Sequence, residues 1–282
     1  MRVGIVGTES SHVDHIIDYL NAAAARPGIR VTALAGAADK RAEELCRAGG
    51  IDQVVPDVPA LLDVADILIV TARHGGTHRE LAVPFLEAGR PVLVDKPFAC
   101  TVTDAEAMLY AADKHAALVT SFSAVRYLPQ TNALAAELAA IGPARSVIAT
   151  GPADGTSQYG GIFFYGIHPV DVALRLAPGP LRDIRTDRVG ESVVASALAG
   201  DARVTVNLIK PDPDGPVPFH ALVVGRRGIA GRELPTDGNY VSHGLAAFLD
   251  MVEGTRPPLS RDELLRPVEF LQAIDRSLRD AG

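Results

Sequence analysis

Leu68-Ile69-Val70-Thr71-Ala72-Arg73-His74 and, one helix-length later, Pro91-Val92-Leu93-Val94-Asp95-Lys96-Pro97 decide the fold. Each is a short apolar, β-branched run ending in polar residues, and an amphipathic segment separates them. That is the pattern of consecutive parallel strands in an open α/β sheet. Ligands of such sheets bind beyond the carboxyl ends of the strands. Thr71 to His74 and Asp95-Lys96-Pro97 are therefore expected to line one cleft, with Lys96, set between an acid and a proline, as its candidate functional cation.

Toward the N-terminus, Arg2 to Gly7 is a strand that breaks on glycine, followed by Thr8-Glu9-Ser10-Ser11 and the helical spacing of Val13, Ile16, Ile17 and Leu20. Of the dinucleotide fingerprint G-x-G-x-x-G only Gly7 is kept; Glu9 and His12 hold the second and third glycine places. A carboxylate at the second place repels a pyrophosphate, whereas Ser10 and Ser11 can cap the helix or offer hydroxyls to phosphate. A plain capped helix accounts for this stretch equally well. The second strand, Ile29 to Ala35, ends in Gly36-Ala37-Ala38 where an acid would bind the NAD ribose. Asp39, Lys40 and Arg41 follow in the next helix, and the two cations favour the 2′-phosphate of NADP.

The remaining units follow in turn. Val54-Val55 is a third strand and Pro59 to Val64 a short helix. Gly75-Gly76-Thr77-His78 opens a helix to Gly89 with Leu81, Phe85 and Leu86 toward the sheet, and Thr103 to His115 is a helix whose Thr103 and Glu106 have capping-box spacing. With Ala117 to Phe122 the six units complete a doubly wound domain. His78, in the first turn of its helix, is a candidate cofactor contact, with a structural histidine the equal alternative.

From Ala124 the grammar changes. Arg126-Tyr127-Leu128-Pro129 starts a helix ending near Gly142, Ser146 to Thr150 is a strand, and Gly151 to Gly161 is a Gly-rich loop. Gly160 to Asp171 runs into the apolar helical stretch Val172 to Leu176, with His168 placed just before a helix that starts at Pro169. Ile184 to Thr186, Ser192 to Ala197, Ala202 to Ile209 and Phe219 to Val224 read as an antiparallel meander, and helices over Val241 to Val252 and Arg261 to Arg279 close the chain. The expected division is a Rossmann domain over residues 1–122 and an α+β domain with a mostly antiparallel open sheet over 123–282, the latter binding substrate and, through that sheet, building a homodimer or homotetramer.

Composition narrows the partners. A net charge of −7 and the lack of a basic block oppose nucleic-acid binding. The apolar stretches are strand-length and the first residues run straight into a strand, so no membrane span is expected and the cytoplasm is the expected compartment. Cys46 and Cys100 are far apart without ligand spacing, and neither a disulfide framework nor a metal site is expected.

These motifs together resemble the Gfo/Idh/MocA family of NAD(P)-dependent oxidoreductases over nearly the whole chain. Asp95-Lys96-Pro97 resembles its Glu-Lys-Pro motif, Thr71 to His78 its strand-end segment leading to a histidine, and Arg126-Tyr127 the Arg-Phe that begins its second domain. Gly160-Gly161 through His168 to Asp171 is similar to its Gly-Gly…Asp-x-Gly-x-His-x-x-Asp signature, although that signature's aspartate falls on Phe164. The resemblance implies hydride transfer between NADP or NAD and a small polar hydroxyl or carbonyl compound, a sugar or inositol derivative. It implies that Lys96 polarises the substrate oxygen, that His168 exchanges the proton, and that Arg126 and Tyr165 contact substrate. Tyr165 is an alternative hydroxyl donor, and Asp171, one turn beyond His168, is placed to orient or charge the imidazole. Gly7, Thr8, Ser10, Ser11, Lys40, Arg41, Thr71, Ala72, Arg73, His78, Asp95, Lys96 and Pro97 form the expected cofactor set. The altered glycine turn and Phe164 also fit an alternative: a binding protein, or a lyase or isomerase that uses Lys96 and His168 without net redox chemistry.

Overall fold

The computed structural model describes residues 1–212 and 214–280, so the far end of the domain expected over 123–282 lies outside them. The chain divides into two compact units: 1–99 with 103–121 and 241–259, and 100–102 with 122–240 and 260–282.

The first unit is a parallel sheet of β1 (Arg2–Val6), β2 (Arg30–Ala35), β3 (Gln53–Val55), β4 (Ile67–Val70), β5 (Val92–Val94) and β6 (Val119–Ser121) in the order β3-β2-β1-β4-β5-β6. The order reverses between β1 and β4, the switch point at which ligands of doubly wound sheets bind. All four residues of β4 are buried, the signature of a strand covered on both faces, and each such side chain contributes about 1.5–3 kcal/mol. The connecting helices are α1 (His12–Ile17), α2 (Lys40–Gly49), α3 (Val58–Leu61), α4 (His78–Glu87) and α5 (Val102–Lys114). α1 continues directly as a π-helical turn over Asp18–Ala22. On α4 the sheet-facing residues are Ala82, Phe85 and Leu86; Leu81, expected among them, is only half-buried. α5 begins one residue before Thr103, which lies inside the helix instead of capping it.

Residues 241–259, expected in the second domain, belong to this first unit. Their helix α8 (Ser242–Val252) brings Asp250 and Glu253 to Arg26, and that ion-paired cluster anchors the segment.

The second unit contains α6 (Pro129–Ile141), β7 (Ala144–Pro152), α7 (Phe163–Leu176), β8 (Leu181–Val189), β9 (Ser192–Ala199), β10 (Ala202–Ile209), β11 (His220–Gly225), β12 (Ile229–Glu233) and α9 (Arg261–Asp280). Its sheet runs β12-β11-β7-β10-β9-β8. It is mostly antiparallel but not the simple meander expected: β7 is inserted between β11 and β10 and pairs β10 in parallel. β7 also reaches Pro152, so Gly151 belongs to a strand and the loop begins later. Alternate residues Val147, Ala149, Val204 and Val206 enter a core with Val170, Leu174 and Phe270 of α7 and α9. The opposite face carries Leu222, Ile148, Thr205 and Ser196 in one cross-strand row.

Candidate functional site

In the first unit the exits of β1, β4 and β5 are laced together. Gly7 has φ +99° and a side chain there would come within 2.1 Å of the Ala72 nitrogen, so only glycine fits. Thr71 closes the same junction: its backbone nitrogen donates to Val6 O at 2.8 Å and its hydroxyl to Gly7 O at 2.8 Å. Both fingerprint departures are bonded to neighbouring strand ends. Glu9 Oε1 accepts from Arg73 N at 2.9 Å, and His12 Nδ1 lies 2.7 Å from Asp95 Oδ2.

Ser10 Oγ accepts from His12 N at 3.2 Å, whereas Ser11, exposed at the cap position, makes no side-chain cap bond. The cap role expected of the two serines falls to Ser10. Thr8 O accepts from Arg41 Nε at 3.3 Å, and Arg41 also pairs with Asp14. Asp39 caps α2 by accepting from Ala42 N, and Lys40 is exposed, 3.8 Å from Glu44.

Lys96 follows β5 at 7% relative exposure, and the Lys96–Pro97 peptide is cis. Burial opposes its charge most; Asp95 favours the charge and Arg73 opposes it, leaving the ammonium pushed down to about 8. Burial also works against the Asp95 carboxylate, but His12 and Lys96 outweigh it and hold that group at about 2.

Of the two readings of His78, cofactor contact or structural histidine, its surroundings fit the structural one. It is fully buried, with Nδ1 2.7 Å from Pro97 O and Nε2 2.7 Å from Ala72 O. Both ring nitrogens are spent on the chain's own carbonyls, so His78 ties the β4 exit to Pro97, and burial lowers its proton affinity.

The donor set fits an NAD(P) dinucleotide. A glycine exit from β1 stands at the switch point, the exposed hydroxyl of Ser11 and the backbone of Thr8 follow it, and Lys96 is the neighbouring cation. Two anions stand beside them, and both are engaged: Glu9 is turned onto Arg73 N and Asp95 lies 2.7 Å from His12 Nδ1.

In the second unit, α7 starts at Phe163, not at Pro169. Gly160 and Gly161, at φ +100° and +59°, turn the chain into it, and a side chain at Gly161 would meet Gly155 O at 2.9 Å. Pro169 sits inside the helix. The far end is held by Arg266, which is buried and donates to the carbonyls of Leu174, Ala177 and Gly179 at 2.9–3.3 Å. Cations at a helix C-terminus satisfy its last carbonyls and its dipole.

His168 is buried, and its Nδ1 lies 2.6 Å from Ser123 Oγ. Asp171 does not play the part expected of it toward His168. Its Oδ2 accepts from Ser123 N at 2.8 Å and its Oδ1 from Arg126 Nη1 at 2.6 Å. Arg126 is likewise no exposed substrate contact: it is 3% exposed, and its Nη2 donates to Glu263 at 2.8 Å. The two carboxylates raise its already high proton affinity against the opposing effect of burial.

Tyr165, 39% exposed, lies one turn before His168 with ring centres 5.9 Å apart. Phe164 packs among Tyr159 and Tyr165, and Phe219 packs edge-on to His168 at 5.1 Å. A side chain at Gly151 would meet the same Phe219 ring at 2.5 Å, which accounts for glycine there. Sequence reasoning missed Ser123, His12 and Arg266. Ser123 stands three residues before Arg126, a spacing that matches no catalytic pattern, and His12 was visible only as a fingerprint departure. Cys46 and Cys100 are not joined in a disulfide. Among the described residues no three-ligand metal cluster occurs, and no helix is long and apolar enough to cross a membrane.

Residues 1–122 match an oxidoreductase family, NAD-binding Rossmann fold. Inositol 2-dehydrogenase 1 of Saccharopolyspora erythraea is 36% identical over 107 residues, 37% of this chain and 31% of that protein. Inositol 2-dehydrogenase of Rhodococcus erythropolis is 35% identical over 119 residues, 42% of this chain and 31% of that protein. The match thus spans about a third of these relatives' length. The crystal structure of a myo-inositol dehydrogenase from Lactobacillus casei, in complex with NAD(H) and myo-inositol, superposes with TM-score 0.82 at 20% identity, covering 100% of this chain and 95% of that one.

Proposed function

We infer that this chain, which through its N-terminal domain belongs to the Gfo/Idh/MocA family, is an NAD(P)-dependent oxidoreductase acting on a small polyhydroxylated ring, an inositol, a sugar or a derivative. The observation that carries the reading is Lys96, a buried amine at the carboxyl edge of a switch-point sheet, where burial pushes its ammonium down to about 8. The dinucleotide supplies or accepts the hydride. Among the first unit's own residues, Lys96 is the group we assign to the substrate oxygen; the second unit is described by itself, with His168 and the neighbouring Tyr165 its candidate polar contacts for a substrate. The test is a dehydrogenase assay over a panel of inositols and sugars with each dinucleotide, in wild type and Lys96→Ala; reduction of dinucleotide by no member of the panel in the wild type contradicts the reading.

NADP is the proposed preference. The carboxylate following β2, Asp39, is spent capping α2, while Lys40 projects into solvent beside the Gly36-Ala37-Ala38 exit. One charge-assisted bond to the 2′-phosphate is worth about tenfold in affinity. NADP is expected to bind about tenfold more tightly than NAD at one ionic strength, with the difference lost in Lys40→Ala; equal or reversed constants in the wild type refute the preference.

A homodimer through the outer face of the second unit's sheet is also proposed. Ile148 is 37% exposed at the middle of that face, flanked by Leu222 and Val224, and such a face is usually covered. Ile148→Glu is expected to convert a dimer to a monomer in sedimentation velocity; a wild-type monomer at tens of micromolar contradicts the proposal.

A further inference from the structure

We propose that Ser123 fixes His168 as the neutral imidazole with its proton on Nε2, so that His168 meets a substrate oxygen as a hydrogen-bond donor and not as the base that takes its proton. The proposal rests on the functional reading above for its chemistry, but its core is the hydrogen inventory of one buried hydroxyl.

Ser123 is fully buried, and among the described residues its Oγ has two neighbours, Val125 N at 3.2 Å and His168 Nδ1 at 2.6 Å. A hydroxyl offers one hydrogen and two lone pairs. The backbone N–H of Val125 can only donate, so it takes a lone pair. The hydroxyl hydrogen then has Nδ1 as its acceptor, which requires a bare Nδ1 and places the ring proton on Nε2. If Nδ1 carried the proton instead, Ser123 would receive two donors and its own O–H would be buried with nothing to accept it. A buried unsatisfied donor disfavours that tautomer on the order of tenfold or more.

The signature positions place no carboxylate on Nδ1. A carboxylate there, which can only accept, would hold the proton on Nδ1 and favour the charged ring. Phe164 cannot supply one, and Asp171 directs its oxygens to Ser123 N and Arg126. Asp171 thereby fixes the Ser123 backbone while Val125 N fixes its hydroxyl, so the serine is held in place from two sides. Phe219 and Tyr165 pack against the ring.

With its Nδ1 lone pair taken by the Ser123 hydroxyl and its proton already on Nε2, His168 has no site left to receive a proton from an oxygen and can only donate the Nε2–H bond to it. Ser123 is a positioning residue, and it touches no reacting atom.

The test is the tautomer itself, read by long-range proton–nitrogen correlation on the whole protein labelled with ¹⁵N-histidine, with the His168 signals assigned by their loss in His168→Asn. The wild type near neutral pH is expected to show a protonated Nε2 and a bare Nδ1. Ser123→Thr keeps this pattern, and Ser123→Ala moves it toward a mixture. A protonated Nδ1 in the wild type overturns the proposal, as does an Ser123→Ala spectrum identical to wild type; should Ser123→Ala fail to fold, the wild-type spectrum alone decides. The readout needs neither substrate nor dinucleotide, so it stands apart from failure of the oxidoreductase reading. Once a substrate is in hand, His168→Gln, which keeps an amide donor, is expected to retain kcat within about tenfold, whereas loss of the 10²–10⁴-fold typical of a removed acid–base group overturns the assignment.

Discussion

Lys96→Ala is expected to lower kcat by at least a hundredfold while the protein stays folded. The lysine follows β5, outside the strand's own ladder, and its loss leaves an Asp95 still paired with His12 at 2.7 Å. Removing a positioned cation or acid–base group at a developing charge costs about 10²–10⁴-fold in rate. The pH profile carries the sharper signature. Because burial, opposed by Asp95 and reinforced by Arg73, pushes Lys96 down to about 8, the neutral amine needed to take a proton forms as pH rises through about 8. The oxidation rate should climb through that region and level above it, and the carbonyl reduction rate should fall there. Lys96→Ala loses that limb. A folded variant with near-wild-type turnover, or an unchanged profile, would make Lys96 a bystander.

Arg126→Ala is expected to cost about 3–5 kcal/mol of unfolding free energy, because it strands the buried carboxylate of Asp171 without its partner at 2.6 Å. The guanidinium and carboxylate of this pair are each only 4% exposed, so solvent offers no substitute. Arg26→Ala is the internal control: its pairs with Asp250 and Glu253 are about a quarter to a third exposed, and its loss should cost no more than about 1 kcal/mol. Chemical denaturation of the three proteins measures both. An Arg126→Ala loss no larger than that of Arg26→Ala would show that the network in the second unit is not what holds Ser123 and α7 in place.

The parallel sheet was legible because β2, β3, β4 and β5 are short, largely apolar runs followed by Gly36, Pro56, Thr71 and Asp95. The register of the second sheet was less so. β7 and β10 alternate like any half-covered strands, and nothing in alternation says that β10, which follows α7, β8 and β9, pairs in parallel with β7. Helix α7 was misjudged at its start because Pro169 is a strong local signal for a helix N-terminus. Arg266 and the glycine pair outweigh it from positions that no local window contains.

Site residues divide the same way. Lys96, Gly7 and His168 stood out by type and place. Arg126, Asp171 and His78 looked equally functional in sequence and prove to be buried partners of other groups, since spacing reveals proximity but not which of several acceptors a side chain meets. Ser123 was invisible for the converse reason: a serine before a short turn is an ordinary cap, and only its distance of 2.6 Å from His168 gives it a second task.

The most direct test of the oxidoreductase assignment is calorimetric titration of NADPH and NADH into the wild-type protein at one ionic strength. Saturable binding of at least one reduced dinucleotide, one per chain, is the expected result; the absence of binding by either at millimolar concentration would contradict it.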